Sequence, residues 1–240
     1  MKIIDKIKEK QLDLMGKPAV TIAFLGDSVT QGCFDVYPLA SSGIETYFDQ
    51  ESNYSRCLAK LLAMLYPTVP VNIINAGISG SRAPQGLMRL QQDVLSHNPD
   101  LVVVCFGLND SMGGVENVSD YTDALRQIFA KLRAADKEII FMTPNMMCTQ
   151  VSDCVLDAGI RETAQRVSQA QNDGVLDLYL KEAAQVCGEY QVPICDCYAK
   201  WQLLYKNGVN ITDLLSNKLN HPTKEMNWLF ALSLLEQMMQ

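Results

Sequence analysis

Residues 19–33 read AVTIAFLGDSVTQGC. The run from Val20 to Leu25 carries no charge and stops at Gly26-Asp27-Ser28. An uncharged, β-rich run closed by glycine is the pattern of a strand buried on both faces. A serine that leaves such a strand at its carboxyl end stands where open α/β sheets hold their ligands.

Similar runs recur at Val71–Asn75, Leu101–Phe106, Glu138–Thr143 and, more weakly, Val192–Cys195. Between them, Tyr54, Leu58, Leu61, Leu62 and Leu65 repeat at helical spacing, as do Tyr121, Leu125, Ile128, Phe129 and Leu132, with Ser119 a cap for the second helix. Further helices are expected over Leu176–Tyr190 and, entered after Pro222, over Thr223–Met239. Strands alternating with helices imply an α/β protein with a parallel sheet covered on both faces. The expected architecture is a three-layer α/β/α sandwich, flavodoxin-like, with about five parallel strands. No Pro/Gly linker, composition break or internal repeat divides residues 19–240, which read as a single domain. Residues 1–18 read as a short amphipathic helix, with Ile3, Ile4, Ile7, Leu14 and Met15 on one face. It either packs on the domain or serves a dimer contact.

Of the 240 residues, 48% are apolar and 20% charged, enough to bury a large core. The formal net charge of −7, with no basic run, argues against nucleic acid or an anionic membrane as partner. No stretch of eighteen apolar residues occurs, and the N-terminal sequence lacks the apolar core of a secretory signal, so a cytoplasmic location is expected. The eight cysteines are then expected as reduced thiols, with Cys57, Cys105 and Cys187 as small core hydrophobes. Cys195-Asp196-Cys197 lacks the two-residue spacer of a redox or zinc motif, and two histidines are too few to favour a zinc site.

The segments after successive strands would share one rim: Gly26-Asp27-Ser28, Ala76 to Gly80, Gly107-Leu108-Asn109-Asp110 and Pro144-Asn145. A serine hydroxyl needs a base within hydrogen-bond reach to become a nucleophile. His97 precedes a strand and so belongs to the opposite edge, about 17 Å or more away. His221 follows the last strand, and by elimination it is the partner of Ser28. The Gly77 N–H, the Asn109 amide and the Ser28 N–H are candidate donors for an oxyanion. Each has a plainer reading: the glycines permit tight turns, and Asn109-Asp110 can cap a helix.

At these residues the chain resembles the SGNH or GDSL-type hydrolases. The match runs through Gly26-Asp27-Ser28-Val29-Thr30-Gln31-Gly32, Asn75-Ala76-Gly77, Pro99-Asp100-Leu101 to Gly107-Leu108-Asn109-Asp110, and Asn220-His221-Pro222. The resemblance implies ester hydrolysis with Ser28 as nucleophile, His221 as base, and Ser28, Gly77 and Asn109 as the oxyanion hole. It implies no metal or organic cofactor. Two residues depart from the pattern. Val29 replaces the usual leucine, and Lys218 stands where the family places an aspartate three residues before the histidine. Lysine cannot accept a hydrogen bond from imidazole. The Asn217 side-chain oxygen, a backbone carbonyl of the same loop, or Asp213 could orient His221 instead.

The insertion from Cys33 to Asn53 follows the serine directly. Its Phe34, Tyr37, Tyr47 and Phe48 form either a wall of the acyl or sugar site or core filling beneath a long loop. The segment from Asn145 to Asp173, with Met146, Met147 and Arg161, can border the same cleft, and Arg82 can meet an anionic group or sugar hydroxyl. The favoured substrate is a small acyl ester, foremost an acetylated sugar. The alternative is a non-catalytic carbohydrate-binding or interaction module that has lost its acid. A nucleotide binder is disfavoured, because neither G-x-G-x-x-G nor a Walker sequence occurs.

Overall fold

The computed structural model describes residues 1–38 and 44–240. Its strands are β1 (Val20–Gly26), β2 (Cys33–Pro38), β3 (Ile44–Phe48), β4 (Val71–Gly77), β5 (Leu101–Cys105), β6 (Glu138–Met142) and β7 (Ile194–Cys195). Five form one parallel sheet in the order β4-β1-β5-β6-β7. The chain therefore leaves β1 to one side for β4 and returns past it to β5. That reversal is the switch point at which a crevice opens beyond the strands' carboxyl ends.

The helices are α1 (Lys2–Leu12), α2 (Ser28–Gln31), α3 (Tyr54–Leu65), α4 (Ala83–Asp93), α5 (Leu108–Ser111), α6 (Val118–Ala134), α7 (Ala158–Asn172), α8 (Val175–Glu189), α9 (Cys197–Lys206) and α10 (Asn227–Met239). They cover both faces, because strand side chains point alternately up and down. Ile22, Phe24, Val103 and Ile140 enter a core with Tyr54, Leu58, Trp201 and Phe230. Ala23, Leu25, Val102, Val104 and Phe141 enter a second core with Leu90, Leu125, Phe129, Tyr179 and Val186. Each fully buried Phe or Leu contributes about 1.5–3 kcal/mol from burial alone. The three-layer sandwich thus follows from central strands such as β5, apolar and buried at every position, which need cover on both faces.

Several expectations need adjustment. Leu14 and Met15 lie past the end of α1 and are exposed, while Ile3, Ile4 and Ile7 are buried. The first free amides of α1 instead find the Glu138 carboxylate at the start of β6, from Lys2 at 3.0 Å and Ile3 at 2.8 Å. Ser119 lies inside the first turn of α6, and Asn117 holds the cap position. The last helix starts at Asn227, not Thr223. The segment after Ser28, read as a loop, contains the antiparallel β2–β3 hairpin. Residues 39–43 of that segment lie outside the described residues. Helices α7 and α9 are additions to the sequence reading.

Candidate active site

Ser28 opens α2, directly after β1, and Asp27 caps that helix by accepting the Val29 N–H at 2.9 Å. Burial pushes the Asp27 carboxyl up to about 7, against the pull of that hydrogen bond. The close seat of α2 on the sheet requires glycine twice. A side chain at Gly26 would meet Thr30 Oγ1 at 2.0 Å and the Cys105 carbonyl at 2.8 Å, and one at Gly77 would meet the Gln31 backbone nitrogen at 2.2 Å. Asn75 completes the seat: its amide donates to the Thr30 carbonyl at 2.8 Å, and its side-chain oxygen accepts the Gly77 N–H at 2.9 Å.

His221 lies in a short loop closed by its own backbone. Leu215 bridges Pro222, and the Ser216 N–H donates to the His221 carbonyl at 2.7 Å. Asn217 is the loop's internal clasp, since its side-chain oxygen accepts the N–H groups of Leu219, Asn220 and His221, each at 3.0 Å. Asn145, fully buried after β6, ties the loop down by donating to the Asn220 carbonyl at 2.9 Å. The result carries His221 Nε2 to 2.9 Å from Ser28 Oγ. Serine and imidazole are both buried, at 4% and 5% exposure, so their hydrogen bond is shielded from competing water.

Among the described residues, no carboxylate lies within hydrogen-bond distance of the other imidazole nitrogen, Nδ1. The Phe34 carbonyl of β2 lies 3.3 Å from it, and the Asn217 side-chain nitrogen 3.1 Å. Three backbone donors fix the oxygen end of the Asn217 amide, so its nitrogen end is the one presented to the ring. Burial drives the His221 pKa down to about 4, with the Phe34 carbonyl and then the Asp35 charge opposing the fall.

These contacts revise the expected site at three points. Asp213 does not reach His221: it is exposed, accepts from Asn210 at 2.8 Å and has Lys218 Nζ at 3.8 Å. Lys218 adopts a left-handed backbone (φ 60°), and its side chain turns toward Asp213, away from the imidazole. The Asn217 oxygen serves the loop rather than the ring, and the carbonyl at Nδ1 comes from the hairpin rather than the histidine loop. Third, the Gly77 N–H already has Asn75 as its acceptor.

Other donors follow the strands on either side of β1. Among the described residues, no acceptor takes the backbone N–H of Ser28 or of Gly80. Gly80 sits in the loop beyond β4 with φ +74°, a conformation that favours glycine, and nothing fills the space where a side chain would stand. Asn109, on α5 beyond β5, donates one amide hydrogen to the Ser81 carbonyl at 3.0 Å, which holds it beside the Gly80 loop with its second hydrogen unassigned. The same loop is anchored by Asp110, which accepts from Ala83 at 2.9 Å and Gly107 at 3.1 Å. Ser28, Gly80 and Asn109 thus follow three adjacent strands, with the serine in the middle. A glycine three residues past a strand's end gives little sequence signal by itself; Gly77, at the strand's end, was the more visible choice.

His97 lies in an exposed turn before β5, at the edge opposite Ser28. Of the hairpin aromatics, Phe34 is buried, while Tyr37, Tyr47 and Phe48 are exposed. Met146 and Met147 are core residues rather than a cleft border, and Arg82 is exposed. All eight cysteines are free thiols, seven of them buried. Among the described residues, no group of three or more His, Cys, Asp or Glu side chains could hold a metal ion, and no helix is long and apolar enough to cross a membrane.

Comparison with known proteins adds to this geometry. The chain is 27% identical over 132 residues to an acetylxylan esterase of Geobacillus stearothermophilus, covering 51% of this chain and 58% of that protein. It is 37% identical over 71 residues to the thioesterase 1/protease 1/lysophospholipase L1 of Escherichia coli (strain K12), covering 30% and 34%. The matched segments thus span under two thirds of either relative. Among solved structures, an acetyl xylan esterase superposes with a TM-score of 0.67 at 21% identity, covering 91% of this chain and 99% of that one. A two-domain esterase active on acetylated mannans gives 0.68 at 17% identity, covering 98% of this chain and 51% of the other. These likenesses carry the fold. The model of the GDSL-like lipase/acylhydrolase family matches residues 24–229, from β1 through the histidine loop into α10, and the chain belongs to that family.

Proposed function

We propose that this protein is a serine esterase that removes a small acyl group, acetate foremost, from an O-acetylated carbohydrate. The observation that carries this reading is the buried 2.9 Å contact between Ser28 Oγ and His221 Nε2, together with the Ser28 and Gly80 N–H groups, which have no acceptor among the described residues. The acetylated-sugar substrate is supported by the acetylxylan esterase relative and by the mannan-active structural neighbour.

In this reading, Ser28 Oγ bonds to the ester carbonyl carbon as its proton passes to His221 Nε2. The carbonyl π pair moves onto oxygen, where the N–H groups of Ser28 and Gly80 and the Asn109 amide receive it. Collapse of the intermediate expels the sugar alkoxide, which takes the proton from Nε2 and leaves an acyl-serine. Water then repeats the sequence, giving its proton to His221 and releasing the acid. The depressed basicity of His221 keeps the imidazole neutral, and so able to accept the proton, over the whole physiological range. A hydrogen on Nδ1, which the Phe34 carbonyl can accept, leaves the Nε2 lone pair facing serine. Unpaired thiols throughout the chain fit action in the reducing cytoplasm. Residues 19–240 are read as one domain with α1 packed on it.

The test is release of acetate from acetylated xylo-oligosaccharides and from p-nitrophenyl acetate. Activity that disappears in Ser28→Ala, with the fold intact, supports the esterase. Sugar binding without acetate release in the unmodified protein overturns it in favour of a carbohydrate-binding module.

A further inference from the structure

His221 has two neighbours at Nδ1 that ask for opposite tautomers. The Phe34 carbonyl at 3.3 Å can only accept, so it needs the hydrogen on Nδ1. The Asn217 amide nitrogen at 3.1 Å can only donate, so it needs a bare Nδ1 and would move the hydrogen to Nε2, where it blocks proton transfer from Ser28. Something must favour the first arrangement.

The peptide whose carbonyl faces Nδ1 joins Phe34 to Asp35. The Asp35 carboxylate is held by the Ser216 hydroxyl at 2.7 Å, and the backbone N–H of the same Ser216 grips the His221 carbonyl at 2.7 Å. Hairpin and histidine loop are therefore stapled together through Asp35, the residue that follows the carbonyl facing Nδ1. Asp35 has no cationic partner within salt-bridge distance among the described residues. The groups around it are Cys33 and Tyr37 on its own strand, Tyr47 directly opposite on β3 with Glu45 beyond, and Ser216 of the histidine loop. The nearby Lys224 sits over the Phe34 and Tyr47 rings at 5.6 and 5.5 Å and is bonded to Asp49. Cys33 and Tyr37 stay neutral, because burial pushes the thiol up to about 11 and the Asp35 charge itself raises the phenol. The charge is thus left to act on the imidazole, whose basicity it raises.

We propose that Asp35 is the positioning carboxylate of this site: from the hairpin it favours the hydrogen on His221 Nδ1 and stabilises the imidazolium formed when Ser28 gives up its proton. It does so through space and through the Phe34–Asp35 peptide, in place of an acid bonded directly to the ring. This inference rests on the esterase reading for its kinetic part, but the tautomer it assigns exists in the resting protein.

The experiment therefore has two arms. With only two histidines in the chain, the His221 ring nitrogens can be followed by NMR in protein labelled with 15N-histidine. The parent is expected as the Nδ1–H tautomer at neutral pH. Asp35→Asn shifts population toward Nε2–H, and Asp35→Glu restores Nδ1–H. In the kinetic arm, Asp35→Asn lowers kcat on p-nitrophenyl acetate roughly tenfold, well short of the ~10⁴ lost when a directly bonded triad aspartate is disabled, and KM stays within about twofold. The acid limb of kcat/KM moves to lower pH. Ser216→Ala, which leaves the carboxylate in place but unheld, shows the same changes to a smaller degree and serves if Asp35→Asn does not fold. An unchanged tautomer in folded Asp35→Asn or Ser216→Ala overturns the proposal, even if activity falls. A parent inert toward both p-nitrophenyl acetate and fluorophosphonate overturns the esterase reading, while the NMR arm still decides Asp35.

Discussion

His221 Nε2 and Ser28 Oγ meet at 2.9 Å although 193 residues separate them in the chain. The contact is built from opposite directions. The serine is aimed by the end of β1 and the Asp27 cap, and the imidazole by a loop clasped on Asn217 and tied down by Asn145. Neither side chain can leave without exposing polar groups that are now paired, so the pair is preorganised.

The pH dependence follows from burial of the imidazole. His221 must be neutral to accept the serine proton, and its pKa is lowered from 6.5 to about 4. The kcat/KM profile should therefore hold level from neutral pH downward and fall only near pH 4. A fall centred near 6.5 would mean a solvated histidine. The sign for stability is the same. Between about 6.5 and 4 the unfolded chain protonates this histidine and the folded one does not, so its contribution to stability shrinks as pH drops through that window. The difference in unfolding free energy between the parent and His221→Asn, followed over pH, isolates it.

The two candidate donors beyond β4 and β5 are separable from the glycine that merely supports them. Asn109→Ala is expected to lower kcat by about 10²–10³, the usual loss for one oxyanion donor, with little change in KM. Gly77→Ala should instead cost stability, about 1–3 kcal/mol in denaturant unfolding, because its new methyl meets the Gln31 backbone at 2.2 Å. An Asn109→Ala variant with unchanged kcat would remove that residue from the oxyanion site.

The missing acid can be supplied at one position and not at another. In Asn217→Asp, one carboxylate oxygen can keep the three loop N–H groups while the other replaces the amide nitrogen now 3.1 Å from Nδ1. This variant should move the acid limb of kcat/KM upward, because a carboxylate beside the ring favours imidazolium. Lys218→Asp puts a carboxylate at the family's usual position in sequence, yet the backbone there turns left-handed and directs its side chain to Asp213. It should leave the profile in place. Equal shifts in both variants would contradict the loop geometry.

Much of this was legible in the sequence, and the reasons differ from element to element. Five strands could be read because a parallel sheet covered on both faces needs continuous apolar runs, and Val20–Leu25 or Leu101–Phe106 have no other economical reading. Ser28 and His221 were found by combining strand-end placement with a shortage of histidines. The free Gly80 N–H is not legible in the sequence, because a backbone donor has no side-chain signature and Gly77 closes the strand more visibly. The contact of the Phe34 carbonyl with His221 is hidden for a related reason: the β2–β3 hairpin reads as an irregular insertion, and which carbonyl reaches an imidazole 187 residues later depends on tertiary packing. Asp213 is near His221 in sequence, but it sits in the turn Ile211–Leu214, before the bridge between Leu215 and Pro222 that closes the histidine loop, and is exposed there.

The most direct measurement is mass spectrometry after treatment with a fluorophosphonate, which labels only a serine whose proton can be removed. One adduct on the peptide containing Ser28 is expected in the parent, with none in Ser28→Ala and a strongly slowed reaction in folded His221→Asn. No adduct in the parent, or labelling of His221→Asn at the parent's rate, would contradict a Ser28 activated by His221.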